Sequence, residues 1–225
     1  MRGRRASIGL AAALVFLLAA CTAAATPSPR PACPTEPPSA VSAQATLEGA
    51  ALATVTVSGA VEGDFAFELY GDEAPIATAN FVALARCGFY DGIWFHRILA
   101  GFVIQAGDPG TKGQTGDVPG LGTGGAGYEF EIEPPAEDLD YVPYSVAMAN
   151  DTRANDSQFF ISLVDLAGRL DRLYTIFGQV TSGTDVVDAI ATVPVNDPNV
   201  GVPLELITIE SIVISGGSEP APSGE

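Results

Sequence analysis

Basic residues are scarce in this chain. Its 225 residues carry 10 Lys and Arg against 27 Asp and Glu, a formal net charge of −17. Such a surface repels phosphate backbones and argues against nucleic-acid binding. Charge would not draw it to anionic lipid either. The charges are spread rather than blocked, as on a solvated surface. There is one histidine, His96, and there are three cysteines, Cys21, Cys33 and Cys87. These stand at no ligand-like spacing, so no metal site is expected. No GxSxG elbow surrounds a serine, and Ser157 with a lone histidine does not make a hydrolase triad. The run from Gly120 to Gly125 fits GxGxxG, but a dinucleotide site needs a helix directly after it. Tyr128 to Ile132 follows instead and alternates like an acidic strand. No cofactor is implied, and a long flexible loop over Gly107 to Gly127 is expected.

No apolar run is long enough to cross a bilayer comfortably. The longest, Ile8 to Ala20, follows Arg2, Arg4 and Arg5 and reads as a processing signal. Its end, Leu18-Ala19-Ala20-Cys21, resembles the lipobox of bacterial lipoproteins, with Cys21 as the lipidated residue. A plain secretory signal cleaved near Ala20, or an uncleaved anchor, is the alternative. The expected organisation is a signal peptide over 1–20, a tether over 21–46, a domain over 47–215 and a disordered tail over 216–225. Pro27, Pro29, Pro31, Pro34, Pro37 and Pro38 make the tether semi-extended and coreless. The chain is thus expected outside the cytoplasm, on a bacterial membrane through lipid and without a spanning helix. In that compartment Cys33 and Cys87 could pair and staple the tether to the domain; two free thiols is the other reading.

Inside the domain, period-two alternation marks strands at 53–57 and 65–69, around a turn at Glu62-Gly63-Asp64. Pro75 opens a helix with Ile76, Ala79, Phe81, Val82 and Leu84 on its apolar side, and Gly88 ends it. Further strands are expected at 94–99, 102–106, 145–149, 158–163, 174–180 and 204–214, with a second helix near 183–191. Many short strands and few helices point to a barrel or sandwich.

The stretch from Trp94 to Asp108 holds the main tension in the sequence. His96, Arg97 and Gln105 sit among apolar residues, and an unpaired buried polar group costs roughly 1–3 kcal/mol. Such residues must be hydrogen-bonded or used.

Phe95-His96-Arg97-Ile98, then Gly101-Phe102-Val103-Ile104-Gln105 and Gly107-Asp108, resemble the first signature of the cyclophilin family of peptidyl-prolyl isomerases. Met148-Ala149-Asn150 and Ser157-Gln158-Phe159-Phe160-Ile161 resemble its second. Asn80-Phe81, Gly122-Thr123-Gly124-Gly125, Leu170-Asp171 and Tyr174-Thr175-Ile176-Phe177-Gly178 also fit, in the family's order, across about residues 53–214. The resemblance implies a mainly β fold, an eight-stranded antiparallel barrel capped by two helices. It implies that Arg97 is the catalytic donor and that Gln105 orients it. Phe102, Val103, Phe160, Leu170 and Tyr174 would line a proline pocket, and Ala149, Asn150 and Gln158 would hold the flanking peptide backbone. The expected substrates are proline-containing exported polypeptides, and the expected state is a monomer. His96 is read as a structural residue bonded to backbone, since isomerisation needs no proton transfer. Taken alone, Phe102, Val103, Phe160 and Leu170 would pass for barrel core. The competing function is a module on the same fold that binds proline peptides without turnover.

The chain departs from the family pattern before Leu170, where many members carry tryptophan and this sequence has Arg169. Tyr174 stands where many have histidine, and the loop Asp151-Thr152-Arg153-Ala154 is shorter and more polar than usual. The indole donor that helps many cyclophilins bind cyclosporin is therefore missing. Cyclosporin is expected to inhibit weakly in a prolyl-isomerisation assay; tight inhibition would contradict the assignment of Arg169 to that position.

Overall fold

The computed structural model describes residues 29–151 and 153–216. The signal peptide, Cys21, the first part of the tether and most of the C-terminal tail lie outside the described residues. The elements in order are α1 (Ala40–Leu47), β1 (Leu52–Gly59), β2 (Gly63–Leu69), α2 (Pro75–Cys87), β3 (Arg97–Leu99), β4 (Val103–Ala106), β5 (Ser145–Asn150), β6 (Asn155–Ser162), β7 (Ile176–Ser182), α3 (Thr184–Ala191) and β8 (Ile207–Ser215). All strand pairs are antiparallel, in the order β3-β4-β6-β5-β7-β2-β1-β8. The two ends of this order are joined through the segment leading into β3. There Gly92 N–H and Phe95 N–H donate to the carbonyls of Ile209 and Ile207, and Ile209 N–H donates to the Ile93 carbonyl.

Alternation decides which side chains go inside. β1 buries every second residue, Ala53, Val55 and Val57, against the interior. Phe67, Phe81, Tyr90, Phe159 and Phe177 meet there with ring centroids 5.2–6.0 Å apart in tilted and edge-on pairs. Phe81 carries α2 into this cluster. Asn80, its buried neighbour, donates to the Asp156 carbonyl (2.9 Å) and accepts from the Tyr128 hydroxyl (2.7 Å), which ties α2 to β6. The helix starts at Pro75, as its sequence predicts, and ends on Gly88 with φ +78°. Its first turn is capped from a distance: the Glu133 carboxylate accepts from Ile76 N–H (3.0 Å) and Ala77 N–H (2.8 Å).

Three helices stand among the described residues rather than two, because part of the expected tether folds. α1 opens with a capping box between Ser39 and Ser42 and packs against α2 with Ala43 fully buried. Arg86 of α2 donates to the Thr46 carbonyl in the last turn of α1 (2.6 Å). A short stretch rich in Ala and Ser shows no apolar stripe in sequence; docking on α2 supplies what its own pattern does not. Just ahead of α1, Cys33 and Cys87 form a disulfide, 54 residues apart in the chain, and Arg30 pairs with Asp91. No helix among the described residues is long and apolar enough to cross a membrane.

The disulfide closes a loop in the unfolded chain, so reduction is expected to lower stability by about 2–4 kcal/mol. Denaturant unfolding of the chain with and without reductant, beside a Cys33→Ser/Cys87→Ser variant, checks this. Coincident curves would show that the bond adds nothing.

Candidate active site

The site is built on the outer face of the sheet. Arg97 stands opposite Gln105 across β3 and β4, Gln105 opposite Phe160 across β4 and β6, and Phe160 opposite Ala147 across β6 and β5. Residues in register on neighbouring strands share a face, so these side chains form one row. The intervening rung of Ile98, Ile104 and Ile161 points into the interior core. Val103, Phe160, Ala147, Tyr141, Leu166 and Ile176 form a second apolar cluster, with Phe102, Ala149, Leu170 and Tyr174 packed against it. Phe102, Val103, Phe160 and Leu170 are thus not interior residues of the barrel; they make an apolar patch outside it.

A relay of side-chain amides holds the arginine. Arg97 donates to Gln105 Oε1 (3.3 Å), and Gln105 Nε2 donates to Gln158 Oε1 (2.9 Å). Gln158 Nε2 then donates to the carbonyls of Gly122 (3.0 Å) and Gly124 (2.7 Å). Those two carbonyls use both hydrogens of Gln158, which fixes the direction of the chain and turns the Gln105 oxygen toward Arg97. Burial lowers the Arg97 pKa from its ordinary value, and Tyr174 nearby partly offsets this. A guanidinium starts so high that it stays charged near neutral pH.

The glycine-rich segment has no regular element beyond a short 3-10 turn at Pro109–Thr111, yet it is anchored rather than loose as the sequence suggests. The Asp108 carboxylate accepts from Gly110 N–H (2.7 Å) and Gly122 N–H (2.6 Å). Trp94 Nε1 donates to the Thr111 carbonyl (2.7 Å). A Cβ on Gly124 would lie 2.1 Å from Asp108 Oδ1, so the backbone must be bare there.

All ten residues expected to act on or bind substrate line one cavity of about 570 Å³: Arg97, Phe102, Val103, Gln105, Ala149, Asn150, Gln158, Phe160, Leu170 and Tyr174. The ring of Tyr174 meets Phe160 edge-on at 5.7 Å. Asn150 Nδ2 donates to Asn155 Oδ1 and to the Leu173 carbonyl (2.9 Å each), which supports the Tyr174 wall. Arg169 is exposed and stands outside the cavity lining, so Leu170 alone represents that turn in the pocket.

Several site residues were not foreseen. Glu129, Asp151 and Asp156 line the cavity with Gly122, Thr123 and Ala154. Burial raises the Asp156 pKa despite N–H donors from Gln158 and Ser157, with Glu129 and Asp108 adding to the rise. Tyr141 lies fully buried behind the pocket. Its hydroxyl accepts from Tyr174 N–H (3.2 Å) and lies within donating distance of the Tyr174 carbonyl (2.9 Å) and the Asp171 carbonyl (3.1 Å). A buried tyrosine must place its hydroxyl, but sequence alone does not say where.

His96 corrects the sequence reading. It is 3% exposed, and neither ring nitrogen has a hydrogen-bond partner among the described residues, so it is not bonded to backbone. The nearby backbone is already committed: Gly122 N–H serves Asp108 and the Gly122 carbonyl serves Gln158. Burial lowers its pKa to about 4; Arg97 adds to that effect, while Asp108 and the nearby Gln158 amide oppose it, the latter without reaching hydrogen-bond geometry. Ser157, the other half of the dismissed hydrolase pair, donates to the Gly107 carbonyl instead (2.9 Å).

Residues 52–214 match the family model for "Cyclophilin type peptidyl-prolyl cis-trans isomerase/CLD". The chain belongs to the cyclophilin-type peptidyl-prolyl cis-trans isomerase family. It is 41% identical over 170 residues to peptidyl-prolyl cis-trans isomerase B of Streptomyces anulatus, covering 68% of this chain and 91% of that protein. It is 40% identical over 156 residues to mouse "Peptidylprolyl isomerase domain and WD repeat-containing protein 1", where the match spans 68% of this chain but only 22% of the longer protein. A Cryptosporidium parvum cyclophilin-type isomerase, solved in the presence of the dipeptide Ala-Pro, superimposes with a TM-score of 0.63 at 31% identity, over 74% of this chain and 99% of that one.

Because the folded His96 pKa lies below its unfolded value, the unfolded state binds the extra proton first as pH falls. The stability that neutral His96 contributes is complete above pH 6.5 and drains away toward about pH 4, on the order of 3 kcal/mol in all. Urea unfolding at several pH values across that window is expected to show a shallower pH slope for His96→Gln than for the parent. Parallel slopes would remove His96 as the cause.

Proposed function

We propose that this chain accelerates cis–trans rotation about Xaa-Pro bonds by twisting the prolyl amide against Arg97. The observation that carries this is the amide relay, which aims one charged donor at the edge of an apolar pocket. Rotation breaks amide resonance across a barrier of roughly 18–20 kcal/mol. In the twisted state the nitrogen gains a lone pair that the planar amide lacks. A guanidinium N–H placed there binds the transition state better than either ground state. Val103, Phe160, Leu170 and Tyr174 offer the proline ring a pocket, with Phe102 beside them. Gln105 Nε2 spends one hydrogen on Gln158, and its second is available to a substrate carbonyl. Ala149 and Asn150, at the end of an interior strand, present backbone along the same cavity. No nucleophile or proton shuttle enters.

The substrates in this reading are proline-containing segments of exported proteins, met outside the cytoplasm by a lipid-anchored enzyme. Two observations support that setting: the lipobox-like end at Cys21, and a disulfide between Cys33 and Cys87 of the kind that persists in oxidising compartments. The Ala-Pro dipeptide named with the Cryptosporidium relative supports a proline ligand for this pocket.

Exchange NMR on an Xaa-Pro peptide tests the activity. Arg97→Ala is expected to lower kcat/KM by about a hundredfold or more, and Arg97→Lys to restore little, since an ammonium lacks the planar fork. Equal cis–trans rates with and without the parent protein would reject the enzyme. Binding without acceleration would make it a proline-peptide module.

A further inference from the structure

A second, larger groove of about 1030 Å³ lies between α1 and the turn that joins β2 to α2. About half of its lining comes from α1 and the segment just after it, Glu48 to Ala51, which precede the part of the chain that matches the family. Four carboxylates stand along it: Glu48 after α1, Glu68 on β2, and Asp72 and Glu73 on the turn. Among the described residues no lysine, arginine or histidine lines it. Among the described residues none of the four carboxylates takes part in an ion pair. The floor is apolar where Leu47 and the ring of Tyr70 lie, and Val41 on α1 leaves an apolar edge 85% exposed.

We propose that this groove is a second polypeptide-binding site, taking a short segment in which lysine or arginine stands beside an apolar side chain. The proposal goes beyond the isomerase reading and does not depend on it. Charge complementarity selects the occupant. An acidic rim without internal cations attracts a cation, and an apolar floor with an exposed valine rewards the side chain next to it. The carboxylates are spread rather than gathered: among the described residues no three acidic, histidine or cysteine side chains are placed to hold a metal ion. That arrangement suits charges separated along an extended chain and not a single divalent ion. Glu68 and Glu73 do converge electrostatically on Tyr70, raising its pKa after burial itself. Tyr70 also packs against the apolar cluster of the proline pocket, while Leu47, Ala50 and Leu69 of the groove pack with the interior cluster.

The test is an amide-resolved NMR titration of the full chain with a proline-free peptide of alternating lysine and leucine, and with its glutamate–leucine counterpart. The lysine peptide is expected to give saturable shifts at Leu47, Gly71 and Asp72 while Phe102 and Leu170 stay still. Added salt should weaken it. Glu68→Gln/Glu73→Gln should weaken it by about fivefold, with Xaa-Pro exchange rates unchanged as the check on folding. Absence of saturable binding overturns the proposal. So do shifts confined to the proline pocket, equal binding of the glutamate peptide, or undiminished affinity in the double variant.

Discussion

The register of β3, β4 and β6 is the constraint on which the site rests. Arg97 faces Gln105 and Gln105 faces Phe160 only because these strands pair where they do. A slip of one residue would send Ile98, Ile104 and Ile161 outward and turn Arg97 and Gln105 into the interior. That alternative would bury a charge among apolar side chains without a counter-ion. The same alternation that fills the core therefore fixes the polar row outside it, and stability and site geometry are specified together.

Two apolar groupings divide the work. The interior cluster, built around Phe81 and its aromatic neighbours, joins α2 to the sheet. The outer cluster stands on the opposite face of the central strands and is roofed by loops. Those loops are held by polar bonds and not by regular structure: Tyr141 fixes the Tyr174 backbone, Asn150 holds the Leu173 carbonyl, and Gln158 and Asp108 gather the glycine-rich segment. The interior rung supplies the platform, and the loop bonds set the walls. A change in Gln158 would act at both levels, since it pins the loop at one end and Gln105 at the other.

Much of this was legible in the sequence because its signals are local. Alternation marked the strands, Pro75 and Gly88 bounded α2, and the polar residues between Trp94 and Asp108 flagged the site. What stayed hidden depends on partners far away in the chain. Glu133 caps α2 from 57 and 56 residues off, and nothing around it announces that duty. α1 carries no apolar stripe and exists by docking on α2. Phe160 looks like core from its residue type; the family resemblance implied a pocket role for it, and the register of β4 with β6 sets it on the outer face. For His96 the local signal was right about burial and wrong about bonding, since neither ring nitrogen finds a hydrogen-bond partner among the described residues.

The choice of glutamine at position 105 fits the role proposed for Arg97. A carboxylate there would orient the guanidinium more strongly, through a charged and bidentate contact. It would also occupy the donors and cancel the charge that the proposed mechanism presents to the twisted amide. Among the described residues no carboxylate forms an ion pair with Arg97, although the chain is strongly acidic and Glu129, Asp151 and Asp156 line the same cavity. A neutral amide positions the arginine through one hydrogen bond and leaves the other N–H groups free. Gln158 extends that neutrality by one link before the relay ends on backbone carbonyls. The relay thus holds a charge in place without neutralising it, and a half-buried guanidinium in that condition interacts most strongly with whichever electron pair is newly presented beside it.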